Sequence, residues 1–461
     1  MSFLSLYSAL LRNPDSRIVD ASSGTDLSYR QFHEKALEIA DSLRDLDLPG
    51  RSIVILYHLE YAVDIALTWV ACTLCDLIPY IIENDNIAGA DDIHYSAIIS
   101  SSPESPVQST ASHVMEGRYH VHIPRKKKYF IGDDESLLIV TSSKSTSTIA
   151  KKILLGVPGT EANFRANIRA LSISKDDVTL VLLPLEYSYG LIAQFLSHVF
   201  AGSTIVFAPK IIGVLHLELV IRHYSVTSIF LTPLLARLLM VYNKPISINS
   251  LRYVTLGGDK AVPEDITRLR RLMNCRIVGT YGLAEAGPRV ATKVIGEDET
   301  SYDLGDSLAG VTLSIEKDAS YARLTGIDSI GFLKITSPCI YKGYVKKSTL
   351  LPPASRNSLV SQDIAYSDNG RIRVLGRDKH YLVSNGRLIW FNEIRQTLFL
   401  DQHVLKVVFR KNEGGLFLRI FVRGGRKNGQ SIEESLSSHF QLVKGKDYQY
   451  ELLEFQNQAY K

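Results

Sequence analysis

Thr255-Leu256-Gly257-Gly258-Asp259, followed by Tyr281-Gly282-Leu283-Ala284-Glu285, is the stretch on which the reading of this 461-residue chain turns. Gly257-Gly258 closes a short apolar run, where missing side chains let a backbone approach a flat ligand closely. A plain strand-to-helix turn looks the same, so the pair alone decides little. The second segment adds an aromatic face, Tyr281, and a carboxylate, Glu285. Together these are the parts that hold a purine base and the divalent cation that accompanies nucleotide phosphates. A third segment, Ser361-Gln362-Asp363, precedes a turn at Gly370 and then Gly376-Arg377. A carboxylate there can accept from both hydroxyls of a ribose, and an arginine can reach ribose or phosphate.

Outward from these segments, Val/Ile/Leu-rich runs alternate with amphipathic stretches, the pattern of an α/β protein with buried strands. Residues 28–46 have helical periodicity. Strands are expected at 52–56, 136–140, 178–183, 203–207, 228–231 and 253–256, each followed by a helix-compatible segment. Residues 301–328 accumulate Gly, Asp and Ser and read as a linker. Beyond it, 331–335 and 370–375 read as antiparallel strands, with turns at Lys342-Gly343 and Asp368-Asn369-Gly370. A compact basic α/β piece runs from His380 onward, and no internal repeat is apparent.

The length exceeds what one hydrophobic core usually serves, so a large domain plus a smaller one is expected. The 52 basic and 48 acidic residues are interspersed, which does not make a nucleic-acid footprint. The dense run Arg125-Lys126-Lys127-Lys128 leads into the acidic turn Asp133-Asp134-Glu135 and reads as a solvated loop or strand edge. The apolar stretch 62–82 is broken by Asp64 and Asp76 and reads as a buried helix and strand, not a membrane span. Residues 1–17 lack the basic region of a secretory signal. Cys72, Cys75, Cys275 and Cys339 are too few and scattered for a disulfide framework, and Cys72-x-x-Cys75 reads as core packing. A soluble cytoplasmic protein is the expectation.

The order and spacing of the three segments resemble the adenylate-forming superfamily of acyl-CoA synthetases, nonribosomal peptide adenylation domains and luciferases. The resemblance extends over nearly the whole chain: Leu27-Ser28-Tyr29-Arg30-Gln31-Phe32, Gly331-Phe332-Leu333-Lys334-Ile335 through Gly343-Tyr344, Gln362-Asp363-Ile364-Ala365, and Gly376-Arg377-Asp378-Lys379 with Gly386. It implies an α/β fold with a large multi-sheet N-terminal adenylation core, 1–376, a hinge, 377–380, and a small mobile α+β C-terminal domain, 381–461. It implies ATP and Mg2+ as cofactors, with Gly257, Gly258, Asp259, Tyr281, Gly282, Asp363 and Arg377 at the nucleotide and Glu285 as the catalytic magnesium ligand. Lys379 falls on the hinge position. Pro184-Leu185-Glu186-Tyr187-Ser188-Tyr189-Gly190-Leu191 is similar to the family's acid-side segment, which puts Tyr187, Tyr189 and Gly190 beside the acyl substrate. No aspartate stands where amino-acid-activating relatives hold an α-amino group, which favours a plain carboxylic acid.

The chain departs from the family in four places. The phosphate loop, Thr141, Ser142, Ser143, Ser145 and Thr146 through Lys151-Lys152, keeps hydroxyls and lysines but has lost its glycines, and with them positive-φ freedom. Both Lys151 and Lys152 fit its terminal lysine. Ala284 replaces a threonine whose hydroxyl meets phosphate, a loss of about 1.5–3 kcal/mol if uncompensated. Gln362 replaces the glycine before the ribose aspartate. Lys461 can be laid on the family's catalytic lysine only by accepting Phe455 for a proline and Tyr460 for a glycine.

The implied reaction is activation of a carboxylic acid to an acyl adenylate, then transfer to the thiol of CoA or of a carrier-protein phosphopantetheine. An amide-forming ligase, and a weakened homologue that binds a carrier or other partner, stay open. Neither nucleic acid nor a membrane span is expected among the partners.

Overall fold

A computed structural model describes residues 4–82, 92–125, 128–142, 150–209, 214–240, 249–296, 303–412, 415–423 and 429–455. Among these residues the chain builds two nine-stranded sheets, a four-stranded sheet, and smaller sheets of two and three strands.

The sheet that carries most of the site has six parallel strands at its centre: Arg17–Asp20, Thr204–Phe207, Val178–Val181, Ser228–Leu231, Tyr253–Leu256 and Arg276–Tyr281. Antiparallel strands finish both edges. Its strands are apolar on both faces because both are covered: Val254 and Ile277 join one core, Tyr253 and Val278 another. That is the period-2 arrangement of a strand between two packed layers. The second large sheet repeats it, with Ile53 and Ile55 in one cluster and Val54 and Leu56 in another. The helix Tyr29–Arg44 packs beside Ala62–Leu74. Its start is set by a reciprocal cap in which the Ser28 side chain accepts from the Gln31 amide while Gln31 accepts from the Ser28 amide.

The strand Ser136–Thr141 is followed by another strand, Lys152–Gly156, instead of a helix. The expected linker at 301–328 holds a strand, Thr312–Lys317, and a helix, Ala319–Thr325, within its described part. That strand lies at the sheet edge with most of its surface in solvent, so its polar composition resembles a loop's. The helix is capped by Asp318, whose carboxylate accepts from the Ser320 and Tyr321 amides, and ended by Gly326 in the left-handed region. Strand Thr312–Lys317 joins Ile330–Thr336, Ser358–Asp368 and Arg371–Arg377 in the antiparallel sheet. The hairpin between the last two turns at Asn369 and Gly370, both with positive φ. Gly343 opens the strand Gly343–Lys346 and is not part of a turn.

The last part of the chain has its own α+β core, from Ile394 and Leu398 on the helix Phe391–Phe399 to Leu418, Ile420 and Leu436. It is tied to the preceding structure by buried Arg237. Nη1 of Arg237 donates to Asp265 at 2.6 Å, while its other nitrogens donate to the carbonyls of Phe399, Asp401 and Val404 at 2.8–2.9 Å. Among the described residues no helix is long and apolar enough to cross a membrane, and the four cysteines are unpaired by disulfides.

Candidate active site

The segments singled out in the sequence gather at the carboxyl ends of the parallel strands, where open α/β sheets bind ligands. Tyr253–Leu256 ends at Gly257-Gly258, and Arg276–Tyr281 ends at Gly282. Their register pairs Leu256 with Gly279, so position 257 comes beside Thr280. A Cβ on Gly257 would stand 2.3 Å from Thr280 Oγ1 and 3.0 Å from the Tyr189 hydroxyl. The side chain missing at 257 therefore makes room for protein hydroxyls. Gly258 has φ +83°, which only glycine adopts freely. A Cβ on Gly282 would fall 1.7 Å from the Pro288 carbonyl, so that position accepts no side chain.

Tyr281 and Asp363, 82 residues apart, meet directly: the Tyr281 hydroxyl donates to Asp363 Oδ2 at 2.5 Å. Arg377 Nε donates to the other carboxylate oxygen at 3.2 Å. The antiparallel register that pairs Asp363 with Arg377 places the arginine. The Asp363 amide donates to Ser361 Oγ at 3.1 Å, fixing the backbone beneath the carboxylate. Burial, with the adjacent Asp363 charge, pushes the Tyr281 hydroxyl well above its ordinary range and keeps it a donor. A carboxylate offers about four acceptor positions, so two donors leave room for a pair of vicinal hydroxyls.

Glu285 lies on the short turn Ala284–Ala286 and accepts from the Tyr344 hydroxyl at 3.0 Å. Lys151 Nζ lies 3.5 Å from the same hydroxyl and 4.7 Å from the centre of the Tyr344 ring. One phenol thus bridges the end of the serine/threonine loop to the carboxylate. Burial and the Glu285 charge raise the Tyr344 hydroxyl, so it stays protonated. The loop is pinned at its base, where the Ser142 amide donates to the Lys151 carbonyl at 2.9 Å and the Lys151 amide to Ser142 Oγ at 3.0 Å. Thr141 Oγ1 shares a hydrogen bond with the Tyr80 hydroxyl. Ser143, Ser145, Thr146 and Lys461 lie outside the described residues.

Lys152, the other candidate for the loop lysine, is buried and ion-paired with Asp92. It points away from Glu285 because successive side chains of extended backbone alternate in direction. Asp259 is likewise engaged elsewhere: Arg395 Nη1 donates to both of its oxygens, at 2.8 and 2.7 Å. Lys379 is exposed with φ +64°, a strained value for a non-glycine residue. Its amide donates to the Tyr321 hydroxyl at 3.3 Å, and that hydroxyl donates to Asp378 at 2.6 Å.

In the segment expected beside the acid, Tyr187 is exposed and Tyr189 opens a π-helical turn, Tyr189–Leu196. The Tyr189 hydroxyl and Thr255 Oγ1 are 2.8 Å apart, and a Cβ on Gly190 would come 2.5 Å from the Pro184 carbonyl. Three further residues near these groups were given no role in the sequence reading. Tyr344 stood within a segment already quoted, but its two partners are distant in sequence. Tyr321 lay in the supposed linker. Arg289, a lone charge in an apolar stretch, was the one available signal.

A model of the family described as "AMP-binding enzyme" matches residues 154–345. The nonribosomal peptide synthetase sidE of Aspergillus fumigatus is 31% identical over 42% of this chain and 9% of its own length. The 4-coumarate–CoA ligase-like 2 protein of Arabidopsis thaliana is 24% identical over 68% of this chain and 57% of its own. The chain thus spans a small part of the synthetase and little over half of the ligase-like relative. Among solved structures, McyG A-PCP complexed with phenylalanyl-adenylate aligns at TM-score 0.77 over 99% of this chain and 91% of that one, with 15% identity. The o-succinylbenzoate coenzyme A synthetase (MenE) of Bacillus subtilis, in complex with ATP and magnesium ion, aligns at TM-score 0.74 over 98% and 95%, with 16% identity. At such identities the structural likeness speaks for the fold alone.

Proposed function

Because the chain belongs to the adenylate-forming superfamily, we propose that it activates a carboxylic acid with ATP to an acyl adenylate, releases pyrophosphate, and passes the acyl group to a thiol of CoA or of a carrier-protein phosphopantetheine. The observation that carries this reading is the carboxylate of Asp363, held by Tyr281 and Arg377 at the carboxyl edge of the parallel sheet.

In this reading Asp363 takes the ribose hydroxyls, and Tyr281, anchored through its hydroxyl, offers its ring to the base. Arg377 holds Asp363 and reaches toward ribose or phosphate. Gly258 and Gly282 shape the turns around the nucleotide. Lys151, Thr141 and Ser142 serve the phosphates, and Tyr187, Tyr189 and Gly190 border the acid. The acid's carboxylate attacks the α-phosphorus and pyrophosphate leaves. Two anions must be brought into line, so catalysis is mainly alignment and charge neutralisation. Lys151 supplies a cationic group near the phosphates.

Glu285 fits magnesium as a hard oxygen donor, with phosphate and water oxygens completing the shell. Among the described residues no group of three His, Cys, Asp or Glu side chains is set to hold a metal without such help. The ion would offset phosphate charge, while Tyr344 orients the Glu285 carboxylate toward it. Residues 377–380 act as the hinge, with Lys379 taking up the backbone change.

Acid-dependent pyrophosphate release tests the first step. Supplying CoA, a phosphopantetheinylated carrier or an amine to the preformed adenylate then tests the second. Thioester formation with either thiol supports the reading, whereas amide formation alone would replace its second half.

A further inference from the structure

Arg289 is among the largest fully buried side chains of the protein, at 1% exposure. None of its three guanidinium nitrogens makes a well-formed hydrogen bond among the described residues, the Tyr189 hydroxyl being a weak partner at most. Every other buried cation described has an acidic partner: Arg237 pairs with Asp265, and Lys152 with Asp92. The Arg289 guanidinium lies instead over two aromatic rings, 4.9 Å from the centre of Tyr189 and 5.2 Å from that of Phe230. Aromatic faces offset only part of what a cation loses on leaving water. Burial accordingly pulls its pKa down, with the Tyr189 and Tyr253 hydroxyls partly opposing.

The backbone presents this side chain deliberately. The Arg289 carbonyl accepts from Asn163 Nδ2 at 2.7 Å, and its amide donates to Asn163 Oδ1 at 3.3 Å. Asn163 is itself fully buried on the helix Val157–Leu171. The Tyr253 hydroxyl, whose proximity favours the charged form of Arg289, is also buried without a well-formed hydrogen bond among the described residues. Tyr189, on which Arg289 lies, is the residue that borders the acid in the reading above. The Arg289 side chain lies against Tyr189 and Phe230, while its backbone amide is near Gly282 of the nucleotide turn.

We propose that Arg289 is the specificity-determining residue of the acid site, and that the acid activated carries a second anionic group, a dicarboxylic acid in the simplest case. One carboxylate reacts with ATP. The other lies against Arg289, where a fork of guanidinium donors matches a carboxylate's two oxygens. Bound this way, the acid supplies the counter-charge that the buried cation lacks among the described residues. A monoacid of the same length leaves the cation unpaired and is disfavoured, as sites built to bond a polar group reject analogues without it.

This inference rests on the adenylation reading for its geometry, so the test separates the two. Pyrophosphate exchange and direct calorimetric binding are measured on the whole chain with matched pairs, hexanoate against adipate and benzoate against terephthalate. The expected result is a preference for the diacid of about 10- to 100-fold in kcat/KM, the scale of one charge-assisted pair. Arg289→Met abolishes that preference by raising KM for the diacid, and Arg289→Lys restores part of it. Exchange with monoacids as good as with diacids overturns the inference and leaves adenylation standing. Diacid binding that depends on Arg289, without exchange for any acid, supports the inference and overturns adenylation. Equal loss for both acids in a folded Arg289→Met variant shows a structural arginine and overturns it. If that variant does not fold, the wild-type preference decides alone.

Discussion

The Tyr281 hydroxyl donates to Asp363 Oδ2 at 2.5 Å, so the residue proposed for the base and the residue proposed for the ribose are parts of one hydrogen-bonded unit. Asp363→Ala should raise KM for ATP by at least about tenfold, the loss of hydrogen bonds to a charged group, while KM for the acid changes little. Tyr281→Phe keeps the ring and should cost less. Steady-state kinetics with each substrate varied checks both. Equal effects on ATP and acid would remove Asp363 from the ribose.

Lys151 and Lys152 are neighbours with opposite surroundings, one exposed beside Tyr344 and the other buried against Asp92. Lys151→Ala should lower kcat for adenylation by about ten- to a hundredfold, on the scale of one charge-assisted contact, with unchanged melting temperature. Lys152→Ala should destabilise the fold by about 1–3 kcal/mol, since a buried amine and its pairing are lost. Thermal melts beside exchange assays separate the two.

Ala284 stands half-buried on the turn that carries Glu285. Ala284→Thr should raise the adenylation rate about tenfold if the alanine simply lacks a phosphate contact. An unchanged rate means another group has taken over that contact.

Arg237 joins the large lobe to the carbonyls of Phe399, Asp401 and Val404 and pairs with Asp265 in the same buried place. Arg237→Met should destabilise the protein by about 3–5 kcal/mol, because Asp265 is left charged and unpaired. Hydrogen exchange should rise first in the helix Phe391–Phe399 and the strand Val404–Asn412. Protection that falls evenly over the whole chain would show that Arg237 does not hold the lobe in particular.

His198 is fully buried, with Nδ1 2.7 Å from the Gln194 carbonyl, and burial lowers its pKa from the ordinary 6.5 to about 4. The unfolded chain therefore binds a proton below pH 6.5 that the folded chain refuses until about pH 4. This contribution to stability is complete above pH 6.5 and is lost as pH falls through that window, amounting to about 3 kcal/mol. Denaturant melts of wild type and His198→Gln across pH 4–7 check it: the variant's stability should fall less steeply.

The parallel strands and the glycine-ended turns were legible because buried strands are apolar on both faces and because motif order survives in the sequence. Asp363, Tyr281 and Arg377 could be named for the same reason, and the structure brings them together. The antiparallel edge strand Thr312–Lys317 was hidden because its exposed surface gives it a loop's composition. Choosing between Lys151 and Lys152 needed the direction of each side chain, which spacing alone does not give. Gly257 makes room for Thr280 through strand register, and Asp259 meets Arg395 across 136 residues. Both relationships exist only once the sheet and the second lobe are assembled.

The most direct measurement is acid-dependent exchange of labelled pyrophosphate into ATP by the wild-type chain with magnesium, over mono- and dicarboxylic acids, with Asp363→Ala as control. Adenylation predicts exchange with at least one acid, strictly dependent on that acid and sharply reduced in the control. A folded protein that gives no exchange with any acid, or whose exchange is unchanged by Asp363→Ala, would contradict it.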